Sequence, residues 1–473
     1  MIRGYPRDAS VLPGATLTLH VATDSPRFRV VFYRWGDGPV PVWRTGWLPG
    51  RHAEDGAADC DWDWPAYGFE IPPDWPSAVY IAGFEEEGHK RVFDLARDHG
   101  AALFVVRAHR ARHGEARAGL LYKLPLATYH AYNLSGGACF YHQPPRSGNP
   151  PGARVSLRRP GGGIGGPVWG AADYYDAGSP RQSFAHWDAR FIRWLLRNGY
   201  APDFCTDIDI HADPGILQDY RLLLSAGHDE YWSEATRDAV EDFVAGGGNV
   251  AFFAANLCWW RIHLVDGGAA MVCHQGGPRG AFDHWWPPSG AARPEDMLCG
   301  VSYRHGGGWW DGPRDTAGFI VQQPEHWIFA GTGLRRGDAF GQNSWPPLVG
   351  YECDGAPLDA FDASYGAVLS AWADEGGTPS SYQLLAAAPL GPHWQELPPR
   401  ERHGPGEGVH AATLGIYRRN GSVFSAGTTD WTQVLGCGRD RRVERITRNV
   451  LDRLGKERPT GLTGQGASSK TVR

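Results

Sequence analysis

Residues 220–256 read YRLLLSAGHDEYWSEATRDAVEDFVAGGGNVAFFAAN, and the fold turns on how this stretch is divided. Leu222, Leu223 and Leu224 form a continuous apolar run, the pattern of a strand buried on both faces. Ser233 stands where an N-cap is needed, ahead of a helix from Glu234 to about Val244, and AGGGN (245–249) closes it. VAFFAAN (250–256) is then the next core strand. A strand, a helix and a strand in immediate succession predict a parallel pair.

The same alternation extends outward. Phe184, Trp187, Phe191, Trp194 and Leu195 fall three to four apart within 180–196, an amphipathic helix closed by RNGY. DFCTDIDIH (203–211) follows as a strand and loop, and GSVFSAGTTDWTQVL and VERITRNVLDRL near the end add a strand and a helix. Residues 265–410 are irregular and rich in Gly, Pro and Trp, with short strands, and read as insertions on that core. Before it, ATLTLHVAT, FRVVFYRWG and WPSAVYIAGF have strand composition between Pro- and Gly-rich turns, and GHKRVFDLARDHG (88–100) reads as a short helix. The expected fold class is therefore α/β, a mainly parallel sheet flanked by helices with irregular insertions, preceded by a small Ig-like β-sandwich. The expected division is 1–119 for the sandwich and linker, 120–455 for the α/β catalytic domain, and 456–473 for a polar, disordered tail.

The chain has 473 residues and a net charge of −6. It has no basic stripe of the kind that follows a phosphate backbone, so nucleic acid is not an expected partner. No apolar run reaches membrane-spanning length and MIRGYPRDAS has no signal-peptide core. A soluble, cytoplasmic protein with no membrane partner is expected. The eight cysteines (60, 139, 205, 258, 273, 299, 353, 437) never form C-x-x-C, which argues against a zinc knuckle and for buried thiols. The 21 tryptophans suit a loop-rich enzyme with aromatic-lined cavities, and equally a β-rich binding protein.

GGGIGG (161–166) matches G-x-G-x-x-G by letter, but PVWGAAD after it does not open a helix, so the dinucleotide reading lacks its context. Ser225 lies within the strand rather than at the sharp turn that carries a nucleophile, so a covalent serine or cysteine mechanism is disfavoured. His228, Asp229, Glu230 and Tyr231 are consecutive at the carboxyl end of the first strand, and Asn256 occupies the same end of the next. In open α/β sheets ligands bind there. The bland alternative is that Asp229 and Glu230 merely decorate a helix N-terminus; the apolar strand ahead of them places them at a buried edge instead. One imidazole and one carboxylate do not complete a metal site. Further donors could come from TYHAYN (128–133) or DYYDAGS (173–179), although a lone Tyr in such a segment is more often a core aromatic.

AYNLSGG, DYYDAGSP, GHDEYWS, FFAANLCWW, VGYECD and VFSAGTTDWTQVL…ITRNVLDRL together resemble the C-terminal catalytic domain of the large (β) subunit of N,N-dimethylformamidase, across roughly residues 120–455 and in the same order. The resemblance implies a glutamine amidotransferase-like fold. It also implies a mononuclear iron(III) cofactor, held by Tyr132, Tyr175 (with Tyr174 as its alternative) and Glu230. Glu352 becomes the general base, and His228 and Asn256 orient substrate or stabilise the oxyanion. Phenolate and carboxylate are hard anionic donors that suit a hard, highly charged ion. The implied function is hydrolysis of a small N-substituted formamide, such as N,N-dimethylformamide, to formate and amine. The implied partners are that small amide, further copies of the chain in a homo-oligomer, and a small accessory subunit. Two other readings stay open: a hydrolase of the same fold acting on a different amide in a biosynthetic pathway, and a non-catalytic carbohydrate- or protein-binding protein.

Overall fold

A computed structural model describes residues 1–89, 93–97, 99–110, 119–142, 154–275, 283–288, 290–316, 318–362, 366–391, 394 and 409–456. The expected tail, 457–473 in particular, lies outside them, and of the expected helix at 88–100 the described residues form only turns and extended chain.

The mainly parallel, helix-flanked, glutamine amidotransferase-like architecture is not what the chain adopts. The described residues form 26 strands and seven α-helices, with 34% of residues in strands and 18% in helices, too few helices to cover both faces of a large parallel sheet. The strands fall into six sheets. The largest has nine strands, in the order Asp203–Thr206, Leu120–Leu124, Leu222–His228, Asn249–Ala255, Ser422–Ser425, Ala411–Arg418, Gln383–Pro389, Phe319–Val321 and Ala339–Phe340. The first five are mutually parallel. From Ser422–Ser425 onward every pairing is antiparallel. The misreading came from residues 265–410. Read as insertions on a parallel core, they instead supply three of its strands, Phe319–Val321, Ala339–Phe340 and Gln383–Pro389, which extend the central sheet by antiparallel pairing.

The segment 220–256 behaves locally as its composition requires. Leu222–His228 and Asn249–Ala255 pair in parallel with Leu222 opposite Asn249 and His228 opposite Ala255, and every residue of both is buried. Between them the helix Glu234–Ala245 is capped by the Ser233 hydroxyl, which accepts from Thr236 N at 3.2 Å. The helix expected over 180–196 is shorter, Asp188–Arg197. Its expected first turns are irregular, and Gln182 there has φ 61°, a conformation no helix permits.

Upstream of residue 107, a three-stranded and a six-stranded sheet share an apolar core that includes Leu17, Leu19, Phe32, Phe69, Tyr80 and Phe104. The reverse side of the larger sheet (Val79, Ile81, Leu103, Val105) packs into the same cluster as Tyr122, Leu124 and Trp187. Trp35 Nε1 donates to Ala189 O across that contact at 3.0 Å.

Beneath the carboxyl ends of the parallel strands lies a fully buried ion pair. Lys123 Nζ meets Asp229 Oδ2 at 2.6 Å, and both side chains are 0% exposed. The carboxylate is completed by Ser225 Oγ at 2.5 Å and Trp232 Nε1 at 3.0 Å, and the ammonium stands 4.4 Å from the centre of the Trp232 ring. Gly227, with φ 76°, turns the strand just before this point, and a Cβ there would sit 2.6 Å from Trp187 Cβ. Removing one partner of a buried pair leaves an uncompensated charge. Asp229→Ala should therefore cost about 3–5 kcal/mol in urea unfolding. Gly227→Ala, which meets both the left-handed φ and the clash, should cost about 2–4 kcal/mol in the same assay.

Candidate functional site

Asp229 is turned to Lys123, whereas the next residue, Glu230, lines a cavity of about 790 Å³ beyond the strand ends, with the fully buried His228 directly behind it. Asn256 enters from the adjacent strand, and Glu352 from the short strand Glu352–Gly355.

Four of the residues singled out in sequence come together as one acid–base group. His228 Nε2 lies 2.8 Å from Glu352 Oε2 and 3.4 Å from Glu230 Oε2. His228 Nδ1 donates to Gln182 Oε1 at 2.5 Å, and the Gln182 amide in turn donates to Tyr351 Oη at 3.0 Å. Asn256 Nδ2 donates to Glu352 Oε2 at 3.1 Å and lies 3.3 Å from His228 Nε2. Trp310 Nε1 donates to Glu352 Oε1 at 3.3 Å. Both ring nitrogens of His228 thus face acceptors, which suits the imidazolium. Burial works against that charge, but the Glu352 carboxylate outweighs it and raises the imidazole above its ordinary value. Glu352 is likewise penalised by burial, yet the attraction of His228 holds its carboxyl below the usual range. Glu230 goes the other way. Burial, opposed by His228 and reinforced by repulsion from Glu352, pushes its carboxyl up to about 7. Carboxyl groups driven apart in this way are the mark of divided acid–base roles.

Asn256 has φ 50°, a strained conformation for a side-chain-bearing residue. Asp354 holds it there: Oδ1 accepts from Asn256 N at 2.9 Å and Oδ2 from Leu257 N at 3.1 Å. The Asn256 side-chain oxygen is buried with no hydrogen-bond partner among the described residues.

On the far side of Glu230 stand tyrosines. Tyr132 Oη donates to Glu230 Oε2 and Tyr141 Oη to Glu230 Oε1, each at 2.7 Å. The two hydroxyls are 3.1 Å apart, and Tyr231 Oη lies 2.5 Å from Tyr141 Oη. Burial, then the Glu230 charge, pushes the phenols of Tyr132, Tyr141 and Tyr231 well above their ordinary value.

Tyr175 does not join them. Its hydroxyl accepts from Arg314 N at 2.6 Å, and its ring packs on Trp345 and under the Arg314 guanidinium. Tyr174 is 52% exposed. Of the expected set, Tyr132 and Glu230 lie together, with Tyr141 as the second hydroxyl on the carboxylate, and Tyr175 stands apart. The DYYDAGS segment instead braces the cavity wall. Asp173 accepts from Arg181 Nε at 3.0 Å, and the Arg181 guanidinium lies 4.3 Å from the centre of the Tyr351 ring. The GTTDW segment braces Glu352: Thr429 N donates to Glu352 O at 3.1 Å, and Asp430 Oδ2 accepts from Tyr351 N at 2.9 Å. Gly350 must be glycine, since a Cβ there would fall 1.9 Å from that Asp430 oxygen.

Sequence reasoning missed Tyr141 and Gln182. Tyr141 lies in CFYHQ, past the end of the helix Leu126–Ala131, with no periodicity to mark it. Gln182 fell inside a segment taken as helix. The remaining group of metal-ligand residue types among the described residues, His263, His274 and Asp283, is an ion-pair network: the Asp283 carboxylate already accepts from both histidines and from Arg261. GGGIGG lies away from this site, with Gly161 and Gly162 on a separate cavity that His130 and Arg159 also line. Among the described residues no helix is long and apolar enough to cross a membrane.

Comparison with known proteins yields relatives of one kind. The chain is 26% identical over 306 residues to the N,N-dimethylformamidase beta subunit of Paracoccus aminophilus, covering 58% of this chain and 37% of that protein. It is 25% identical over 304 residues to the N,N-dimethylformamidase beta subunit of an Alcaligenes species, with the same coverage. The chain thus spans little more than a third of the length of these curated relatives. The family model described as N,N-dimethylformamidase beta subunit-like, C-terminal, matches residues 28–444, a span that holds every residue of the acid–base group and of the tyrosine cluster. The chain belongs to the N,N-dimethylformamidase beta subunit-like, C-terminal family.

Proposed function

We propose that this chain is a metal-dependent amidohydrolase that cleaves an N-substituted formamide, such as N,N-dimethylformamide, to formate and amine. One observation carries the reading. The two oxygens of the buried Glu230 carboxylate each receive a tyrosine hydroxyl, while Glu352, His228 and Asn256 form a second, connected group on the same cavity.

The cluster suits a hard trivalent cation such as iron(III). Tyr132, Tyr141 and Glu230 are oxygen donors within hydrogen-bonding distance of one another, and each resists ionisation because of burial, reinforced by the Glu230 charge at the two phenols and by the Glu352 charge at Glu230. A cation among them would remove that penalty, and hard anionic donors favour such an ion. Held there, it would supply Lewis acidity to the amide oxygen.

The rest of the chemistry belongs to side chains. Glu352, kept ionised by His228, takes a proton from the water that adds to the formyl carbon. The Asn256 amide, on the cavity, is a donor for the oxygen that gains negative charge, and the His228 imidazolium behind it holds Glu352 in its ionised form. The C–N bond then breaks, and Glu352 returns its proton to the departing nitrogen, so formate and amine leave with water consumed. Gln182 fixes His228 from behind and is a positioning residue. The two relatives are beta subunits by name, which supports an accessory subunit for this chain as well, and self-association is part of the same proposal.

Metal content by plasma mass spectrometry, with a visible absorption spectrum, tests the cluster. Stoichiometric iron with a phenolate-to-iron band is expected in the wild type and in Tyr175→Phe, with loss of the band in Tyr132→Phe, Tyr141→Phe and Glu230→Gln. An unchanged band in Tyr141→Phe and a lost one in Tyr175→Phe would reverse the assignment. Glu352→Gln should keep the metal and lower kcat for a formamide by about 10²–10⁴-fold. Gln182→Leu should retain the metal and lower kcat by about 10–100-fold with KM little changed.

A further inference from the structure

The cavity that receives Glu230, Asn256 and Glu352 has a volume of about 790 Å³. A molecule of water occupies about 30 Å³ of liquid, so an amide as small as dimethylformamide would fill only a fraction of this space. Cavities of roughly 300–1,000 Å³ normally enclose ligands of drug size. The polar groups are gathered in one connected network, and the remaining wall is largely aromatic: Trp169, Trp259, Trp260, Tyr303, Trp310 and Tyr351. Two of these, Trp169 and Trp310, are 36% and 37% exposed, large apolar surfaces left wet beside the site and ready to be covered.

The wall also excludes charged substrates. Among the described residues its one cation is Arg181, which donates to Asp173 and to the Trp310 carbonyl. Its two carboxylates, Glu230 and Glu352, are held by Tyr132, Tyr141, His228 and Asn256. Among the described residues of the wall, every charged side chain already has a charged or hydrogen-bonding partner.

We infer that the substrate is a neutral formamide whose nitrogen bears an aromatic or similarly bulky apolar substituent, seated among these tryptophans. The inference rests on the formamide reading above, which puts hydrogen on the acyl side and so leaves only the nitrogen to carry the bulk.

The test compares N-benzyl-N-methylformamide, N,N-dimethylformamide and N,N-dimethylbenzamide with the metal-loaded protein. Expected is a kcat/KM at least about tenfold higher for the benzyl formamide than for dimethylformamide, with the benzamide slower than the benzyl formamide. Val168→Trp, which narrows the cavity at a lining position, should lower kcat/KM for the benzyl compound more than for dimethylformamide. Equal or better turnover of dimethylformamide overturns the inference, and preference for the benzamide overturns its placement of the bulk. Calorimetric titration of Glu352→Gln with benzyl formamide gives a readout independent of turnover. Binding at least about tenfold tighter than that of dimethylformamide, with no hydrolysis of any amide by the wild type, would retain the aromatic ligand and sink the hydrolase reading. Absence of binding sinks the inference itself.

Discussion

The buried pairing of Lys123 with Asp229 is the constraint on which the site depends. Two charges with no solvent contact are costly unless each is fully partnered. Here the partners are all local: Ser225 and Trp232 on the carboxylate, the Trp232 ring beside the ammonium. With Asp229 held on Lys123, the residue after it, Glu230, stands on the cavity between the imidazole and the tyrosines. The ion pair also ties two neighbouring parallel strands together at the level where the cavity opens. A hydrophobic pair of the same volume could match it in stability, but would not fix which way the following residues face.

Above that base, the site separates its charges with one imidazole. Glu230 and Glu352 would repel across a dry space; His228, within 3.4 Å of both, makes one of them a stable carboxylate and leaves the other dependent on the tyrosines. The motifs that carry the family resemblance divide accordingly. GHDE and FFAAN deliver side chains into the cavity, whereas DYYDAGS and GTTDW hold Arg181, Tyr351 and the Glu352 strand in place.

Much of this was legible in sequence. The apolar run before His228, the Ser233 cap and the AGGGN stop locate two strands and a helix because those signals are local. His228, Glu230 and Asn256 follow from strand ends alone. Glu352, nearly a hundred residues beyond Asn256 in the chain, has no local signal and was reached only through the family resemblance. That route also brought in Tyr175, where adjacency to Asp176 stood in for geometry. Tyr141 and Gln182 were not legible, since each acts through an irregular backbone that periodicity does not describe. The overall architecture was misread for a related reason. The short strands expected among Gly, Pro and Trp pair with distant partners, so composition could not show that three of them extend the central sheet in antiparallel pairing.

The Glu352–Gly355 strand carries two functional acids of different duty. Glu352 faces the cavity, while Asp354, its carboxyl pushed up to about 8 by burial, grips the backbone of Asn256 and Leu257. The Asn256 amide is in turn bonded to Glu352. The two residues form a closed mechanical linkage: any displacement of the strand drags the end of the neighbouring one with it. Apart from Trp310, which donates to Glu352, the tryptophans of the wall are outside that loop of bonds. Such a site can be reshaped by substitution in its walls while the base and the amide beside it keep their separation, which makes the cavity free to diversify around a chemistry that stays rigid.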